Sequence, residues 1–181
     1  MEDDIPRELI VQAGKGDMKA FEEIYRLASG LVYNVAFRVA RSHAEADEIT
    51  QEVFIKMHEA LPRFEFRSSC KTWLYRIAAN AAISRCRKSA RESSLAGKYR
   101  EHLEVEAQQS PTAEDINEKT VGALLSALDD EQRACVVLRE MEGLAYEEIA
   151  EILHIPLNTV RSRLHRAREA MLAYANKEKL P

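Results

Sequence analysis

Several things are scarce in this chain of 181 residues, and each scarcity excludes something. Six glycines and five prolines are too few for an all-β protein with many tight turns, or for collagen-like and Gly-rich low-complexity sequence. Neither G-x-G-x-x-G nor G-x-x-x-x-G-K-[ST] occurs, so there is no Gly-rich loop to cradle a phosphate and nucleotide hydrolysis loses its ground. Uncharged stretches such as Ile77–Ser84 and Ala134–Leu138 fall far short of the ~20 residues that cross a bilayer. The start, MEDDIPREL, is acidic and has no apolar segment of signal-peptide length, so a soluble, cytoplasmic protein is expected. Cys70, Cys86 and Cys135 are odd in number, far apart and in no C-x-x-C pattern, which suits reduced, packed thiols. Five dispersed histidines supply no ligand cluster, so neither a metal nor a cofactor is expected.

What is present is charge, unevenly placed. The net charge of −4 argues against a protein that grips nucleic acid unaided. Yet Arg67–Arg91 holds seven Lys or Arg and no acid, and Leu157–Met171 holds four Arg and one Glu. Two basic islands in an otherwise strongly acidic chain read as two anion-facing surfaces.

The apolar spacing is helical throughout, and no strand signal of useful length interrupts it. Asp17 is placed to cap a helix that carries Phe21, Ile24, Tyr25, Ala28, Val32, Val35 and Val39. A second helix is predicted from about Ala44, with Ile49, Val53, Met57, Ala60 and Leu61 on one face and Pro62 at its end. Residues 64–71 lack periodicity and read as a loop, followed by a helix over about 72–91. Between Glu92 and Thr112 the pattern fails, and Ser93, Ser94, Gly97 and Ser110-Pro111 read as a flexible connector, with an ordered extra helix as the alternative and a transient helix near 99–105. Helical spacing resumes over 116–128. Asp129 or Asp130 can cap a further helix that runs to about Met141 and stops at Gly143. The expected architecture is therefore all-α: two small helical domains, 1–92 and 113–181, joined by a linker over 93–112.

Two short helices, 146–153 and about 158–175, flank a break of four residues that contains Pro156, which is a helix-turn-helix candidate. At 100° per residue Val160, Leu164, Ala167 and Met171 share one face. Ser162, His165, Arg166 and Glu169 take the opposite face, with Arg161 near its edge. That helix offers Arg forks for guanine edges and phosphates, with a hydroxyl and an imidazole as smaller donors. In the first half, Arg76, Asn80, Ser84 and Arg87 form one stripe that begins near Trp73. A basic stripe with an aromatic suits a strand that is being unpaired, because rings replace lost base stacking. Burial of Trp73 in the core is the equal alternative.

These residues carry a resemblance. EGLAYEEIAEILHIPLNTVRSRLHRAREAM is similar to the C-terminal promoter-binding region of the extracytoplasmic-function (group 4) sigma factors of bacterial RNA polymerase. KGDMKAFEEIY, ADEITQEVFIKMHEALPRF and TWLYRIAANAAISRCRK resemble that family's region 2, in the same order and spacing. The resemblance implies a factor that binds core polymerase through the β′ and β subunits, recognises the −35 and −10 promoter elements, helps to open the DNA, and is held in check by an anti-sigma factor. Carried over residue by residue, it assigns the −35 element to Arg139, Thr159, Arg161, Ser162, His165 and Arg166. The −10 element and melting fall to Phe64, Arg67, Lys71, Trp73, Arg76, Asn80, Ser84 and Arg87. Glu48, Gln51, Glu52 and Ile55 share an exposed face, and the matching positions of the family dock on a β′ coiled coil. The pattern is departed from at His154, where the family often has Gly, at Asn158, and at Asp129, where Leu-Pro is common. A stand-alone helix-turn-helix regulator is the alternative, although residues 1–91 resemble no ligand-binding or receiver domain. An enzyme is disfavoured, since no nucleophile, base and carboxylate pattern occurs. A helical adaptor that binds only proteins is the third rival.

Overall fold

The structure is a computed structural model that describes residues 5–96 and 113–178, with side chains described for 5–92 and 118–178. Among the described residues there are helices and no strand. The chain divides into two compact units, Met1–Arg85 and Cys86–Pro181.

The first unit contains α1 (Arg7–Gly14), α2 (Met18–Ala40), α3 (His43–Ala60), a 3-10 turn Leu61–Arg63 and the start of α4 (Cys70–Ala96). The helices α2, α3 and α4 each begin where a side chain satisfies free backbone N–H groups. Asp17 Oδ1 accepts from the amides of Lys19 and Ala20 at 2.9 and 3.2 Å, which starts α2. Ser42 Oγ accepts from Glu45 N at 3.3 Å and starts α3. Ser69 Oγ accepts from Thr72 N at 2.9 Å, so α4 begins at Cys70, two residues before the predicted start. Its far end lies at Ala96, one turn past the predicted start of the connector; residues 97–112, including the transient helix expected near 99–105, lie outside the described residues.

Ile24, Val32, Val35 and Val39 of α2, which packs against α3, are fully buried, as are Ile49, Val53 and Met57 of α3 and Leu74 and Ala78 of α4. Burying such a side chain contributes about 1.5–3 kcal/mol. Thr50 is buried too, and its hydroxyl donates to the Ala46 carbonyl at 2.7 Å. Tyr25 does not join this core. It lies 46% exposed, because it sits 100° around the helix from Ile24, and its ring leans on Phe54 at 4.6 Å. Gly14 is required for a close approach: a Cβ there would meet the Leu61 carbonyl oxygen at 2.9 Å, so α1 lies directly on the 3-10 turn.

The second unit contains α5 (Ala113–Ser126), α6 (Asp130–Val136), a π turn Val137–Met141, α7 (Tyr146–Leu153) and α8 (Leu157–Glu178). Of the two capping candidates Asp129 is the cap: its Oδ1 accepts from Gln132 N at 2.7 Å, and Gln132 Oε1 accepts from Asp129 N at 3.4 Å. The π turn ends with Glu142 N donating to Val137 O at 3.2 Å, and Gly143, at φ +70°, stops the helix as expected. The core holds Leu138 of the turn, Ile149 and Ile152 of α7, and Val160, Leu164 and Ala167 of α8. Met171, expected on the same stripe, is only half-buried.

Candidate nucleic-acid and polymerase interfaces

The break between α7 and α8 is made by His154, which takes the left-handed conformation at φ 52°, ψ 47°. Its amide donates to the Glu151 carbonyl at 3.3 Å, and Ile155 N donates to Ala150 O at 3.0 Å, which closes α7. Pro156 then accepts from Thr159 N and Val160 N through its carbonyl, at 2.8 and 3.2 Å, and starts α8. A glycine would enter this turn with less strain, but histidine makes the same turn.

Burial of Val160, Leu164 and Ala167 leaves Arg161, His165 and Arg166 exposed. Arg161 reaches Asn158 Oδ1 at 3.4 Å, and His165 Nε2 lies 3.5 Å from Glu169. Thr159 and Ser162 are half-buried, and the Ser162 hydroxyl donates to Thr159 O at 3.0 Å. Arg139 precedes this helix in the chain. It is half-buried in the π turn, donates to the Leu144 carbonyl at 2.8 Å and lies over the Tyr146 ring at 5.2 Å. The two remaining arginines of α8 are in ion pairs: Arg163 with Glu131, and Arg168 with Glu140 at 3.0 Å. Arg163 also faces Cys135. Burial pushes that thiol up to about 11, against the opposing pull of the Arg163 charge. The carboxylate partners of Arg163 and Arg168 lie 32 and 28 residues away, where no helical periodicity reaches.

Along α4, Arg76 and Asn80 are half-buried and Ser84 and Arg87 exposed. Asn80 Nδ2 donates to Arg76 O at 2.8 Å. The Lys71 ammonium lies 5.9 Å from the Tyr75 ring, and exposed Arg67 pairs with Glu65 at 2.6 Å. Trp73 is buried, at 8% exposure, so the open alternative resolves toward the core. The rings nearer solvent are half-buried Phe64 and Phe66 in the loop before α4. Phe64 packs on Trp73 at 5.2 Å and edge-on to Phe66 at 4.9 Å, and the Arg7 guanidinium caps Phe66 at 4.2 Å. Phe66 holds φ 55°, a left-handed backbone that costs a bulky residue on the order of 1–3 kcal/mol. Sequence reading missed Phe66 and Arg7, because a tertiary stack across 59 positions leaves no local pattern.

Glu48, Gln51, Glu52 and Ile55 lie along α3, with Ile55 at 53% exposure. The face is less acidic than its sequence. Arg85 pairs with Glu48 and reaches Glu52 at 3.9 Å, and Glu52 also holds Lys56 at 2.6 Å. The Glu48 hydrogen bond holds the Arg85 guanidinium still more firmly protonated. Beside this face a groove of about 490 Å³ runs between α2 and α3, lined by Phe21, Tyr25, Phe54, Ile55 and His58 among others.

No group of three or more His, Cys, Asp or Glu that could hold a metal occurs among the described residues, and none of the described helices is long and apolar enough to cross a membrane. Two family models match the chain: sigma-70 region 2 over residues 24–92 and sigma-70 region 4 over residues 118–171. The chain is 34% identical over 176 residues to the RNA polymerase sigma-H factor of Pseudomonas aeruginosa, covering 91% of each. It is 34% identical over 172 residues to the extracytoplasmic-function RNA polymerase sigma factor SigW of Bacillus subtilis, covering 90% of this chain and 92% of that one. Among solved structures it is similar to the sigma factor RpoE of Bartonella quintana, crystallised with the anti-sigma factor NepR. The TM-score is 0.70 at 26% identity, over 87% of this chain and 98% of that one. No catalytic family is indicated by these matches. A helical fold with a left-handed break before a basic helix, two sigma-70 regions in order and relatives matched along nearly their whole length make the chain a member of the extracytoplasmic-function sigma factors of RNA polymerase.

Proposed function

We propose that this sigma factor divides promoter recognition between an N-terminal and a C-terminal helical region and performs no reaction of its own, leaving RNA synthesis to core polymerase in the bacterial cytoplasm. Residues 1–92 bind core polymerase and the −10 element, residues 93–112 link, and residues 113–181 bind the −35 element. Arg161, His165 and Arg166 enter the major groove from α8, with Thr159 and Ser162 supporting its first turn. Arg139 acts as a brace of the π turn more than as a reader, since its guanidinium is already engaged. Arg67, Lys71, Arg76, Ser84 and Arg87 track the phosphates of the opening strand, Asn80 and the Phe64 loop face its bases, and Trp73 supports the loop from beneath. Glu48, Gln51, Glu52 and Ile55 dock on the polymerase β′ subunit. Because the similar RpoE chain was crystallised with an anti-sigma factor, a protein of that kind is the expected inhibitor here.

The observation that carries this reading is the exposed Arg161–His165–Arg166 face on a helix seated against α7 by fully buried Val160 and Leu164. Run-off transcription with purified core polymerase on a pool of genomic promoters tests it. New start sites that share paired upstream elements are expected only when the protein is added. No gain in initiation and no co-elution with core would refute the assignment.

A further inference from the structure

The first helix is anchored at both ends to the segment that leads into α4. At its C-terminal end Gly14 lies so close to the Leu61 carbonyl that no side chain fits between them. At its N-terminal end the Arg7 guanidinium sits 4.2 Å above the Phe66 ring. Between these anchors the chain from Pro62 to Ser69 has no helix of its own beyond the 3-10 turn. Its one left-handed residue, Phe66, is gripped by Arg7 and by the edge of Phe64, at 70° and 4.9 Å. Phe64 in turn rests on buried Trp73 of α4. The stack Arg7–Phe66–Phe64–Trp73 therefore ties α1, the loop and α4 into one ladder of planar groups.

We infer that α1 is a brace for the −10 loop, and that Arg7, by stacking on Phe66, is a positioning residue that sets how sharply the holoenzyme discriminates among −10 sequences. This inference rests on the reading that the loop before α4 faces the −10 bases. Discrimination needs a fixed reading surface, since a loop that rearranges freely accepts several bases alike. The planar guanidinium matters as well as the charge, because it stacks face to face where an ammonium cannot.

The test uses core polymerase loaded with the full chain, on fork-junction promoters whose unpaired −10 bases are changed singly. A changed base ordinarily weakens such a complex by roughly tenfold or more. Arg7→Ala is expected to shrink that ratio about fivefold, with core affinity, −35 duplex binding and thermal unfolding essentially unchanged. Arg7→Ala made on top of Phe66→Leu is expected to add nothing, since the stack is already broken. An unaltered ratio overturns the inference, and so does an equal Arg7 effect in the Phe66→Leu background. Uniform weakening of all sequences, with the salt slope reduced by about one, also overturns it, by making Arg7 a phosphate contact. A photocrosslinker on Ser68→Cys separates the underlying reading. Crosslinks to −10 bases uphold the reading whatever Arg7 does, whereas crosslinks elsewhere overturn both.

Discussion

Arg133 is 6% exposed, and its guanidinium donates to the carbonyls of Leu125 and Leu128 at 2.9 and 2.7 Å while lying 3.2 Å from Asp130. It satisfies the carbonyl end of α5 from within the next helix. Arg133→Met should lower the stability of the second unit by about 2–4 kcal/mol, because buried carbonyls lose their donors. The only tryptophan, Trp73, lies in the first unit. Far-UV circular dichroism in urea should therefore shift while the Trp73 fluorescence transition stays in place. Cys135 supplies a pH dependence. Its folded thiol titrates near 11, above the ordinary value of 9.0, so below pH 9 both states are neutral and the thiol has no effect. Between pH 9 and 11 the unfolded state ionises first, and stability falls by up to ~2–3 kcal/mol. Cys135→Ala should flatten that part of the stability curve in denaturation followed from pH 8 to 11. Neither residue's partners were legible in the sequence: Arg133 looked like any helical arginine, and Cys135 like any spare thiol.

At the scale of elements much more was readable. Asp17, the break at Pro156 and the stop at Gly143 fell where predicted, because caps and breakers are local chemistry. Periodicity also identified the buried stripe of α8, although Met171, toward its far end, is less covered than the spacing implied. It failed where burial depends on a neighbour. Tyr25 is one of seven helically spaced apolar residues, yet it stays exposed among the described residues. The acidic face of α3 read as bare, but α4 sends Arg85 across to it from 37 positions away. For α8 the expectation is sharp. Arg166→Ala should weaken −35 binding by about 1–3 kcal/mol and relax preference at one base pair if its fork reads that base. Binding measured against every single-base variant of the element distinguishes this from uniform loss, which marks a phosphate contact.

For the molecule as a whole, the charge pattern sets how it meets DNA. Two basic segments lie in a chain whose net charge is −4, so its own attraction to the polyanion is weak and local. The isolated protein should bind promoter duplex no better than roughly 10⁻⁴–10⁻⁶ M at physiological salt, the range of nonspecific complexes. Adding core polymerase should tighten binding and steepen its dependence on salt, because the enzyme contributes phosphate contacts of its own. Fluorescence anisotropy across a potassium chloride series, with and without core, checks both. Tight sequence-specific binding by the protein alone would favour a free-standing regulator instead.

Cys70, Cys86 and Cys135 are all buried, at no more than 2% exposure. A thiol shut away from solvent reacts slowly with peroxide or disulfide, since the attacking species is an accessible thiolate. These three thiols are therefore shielded from oxidants while the chain is folded. If a cell engages this factor under oxidative stress, a thiol that receives the news belongs to another molecule, which passes it on as the making or breaking of a protein contact.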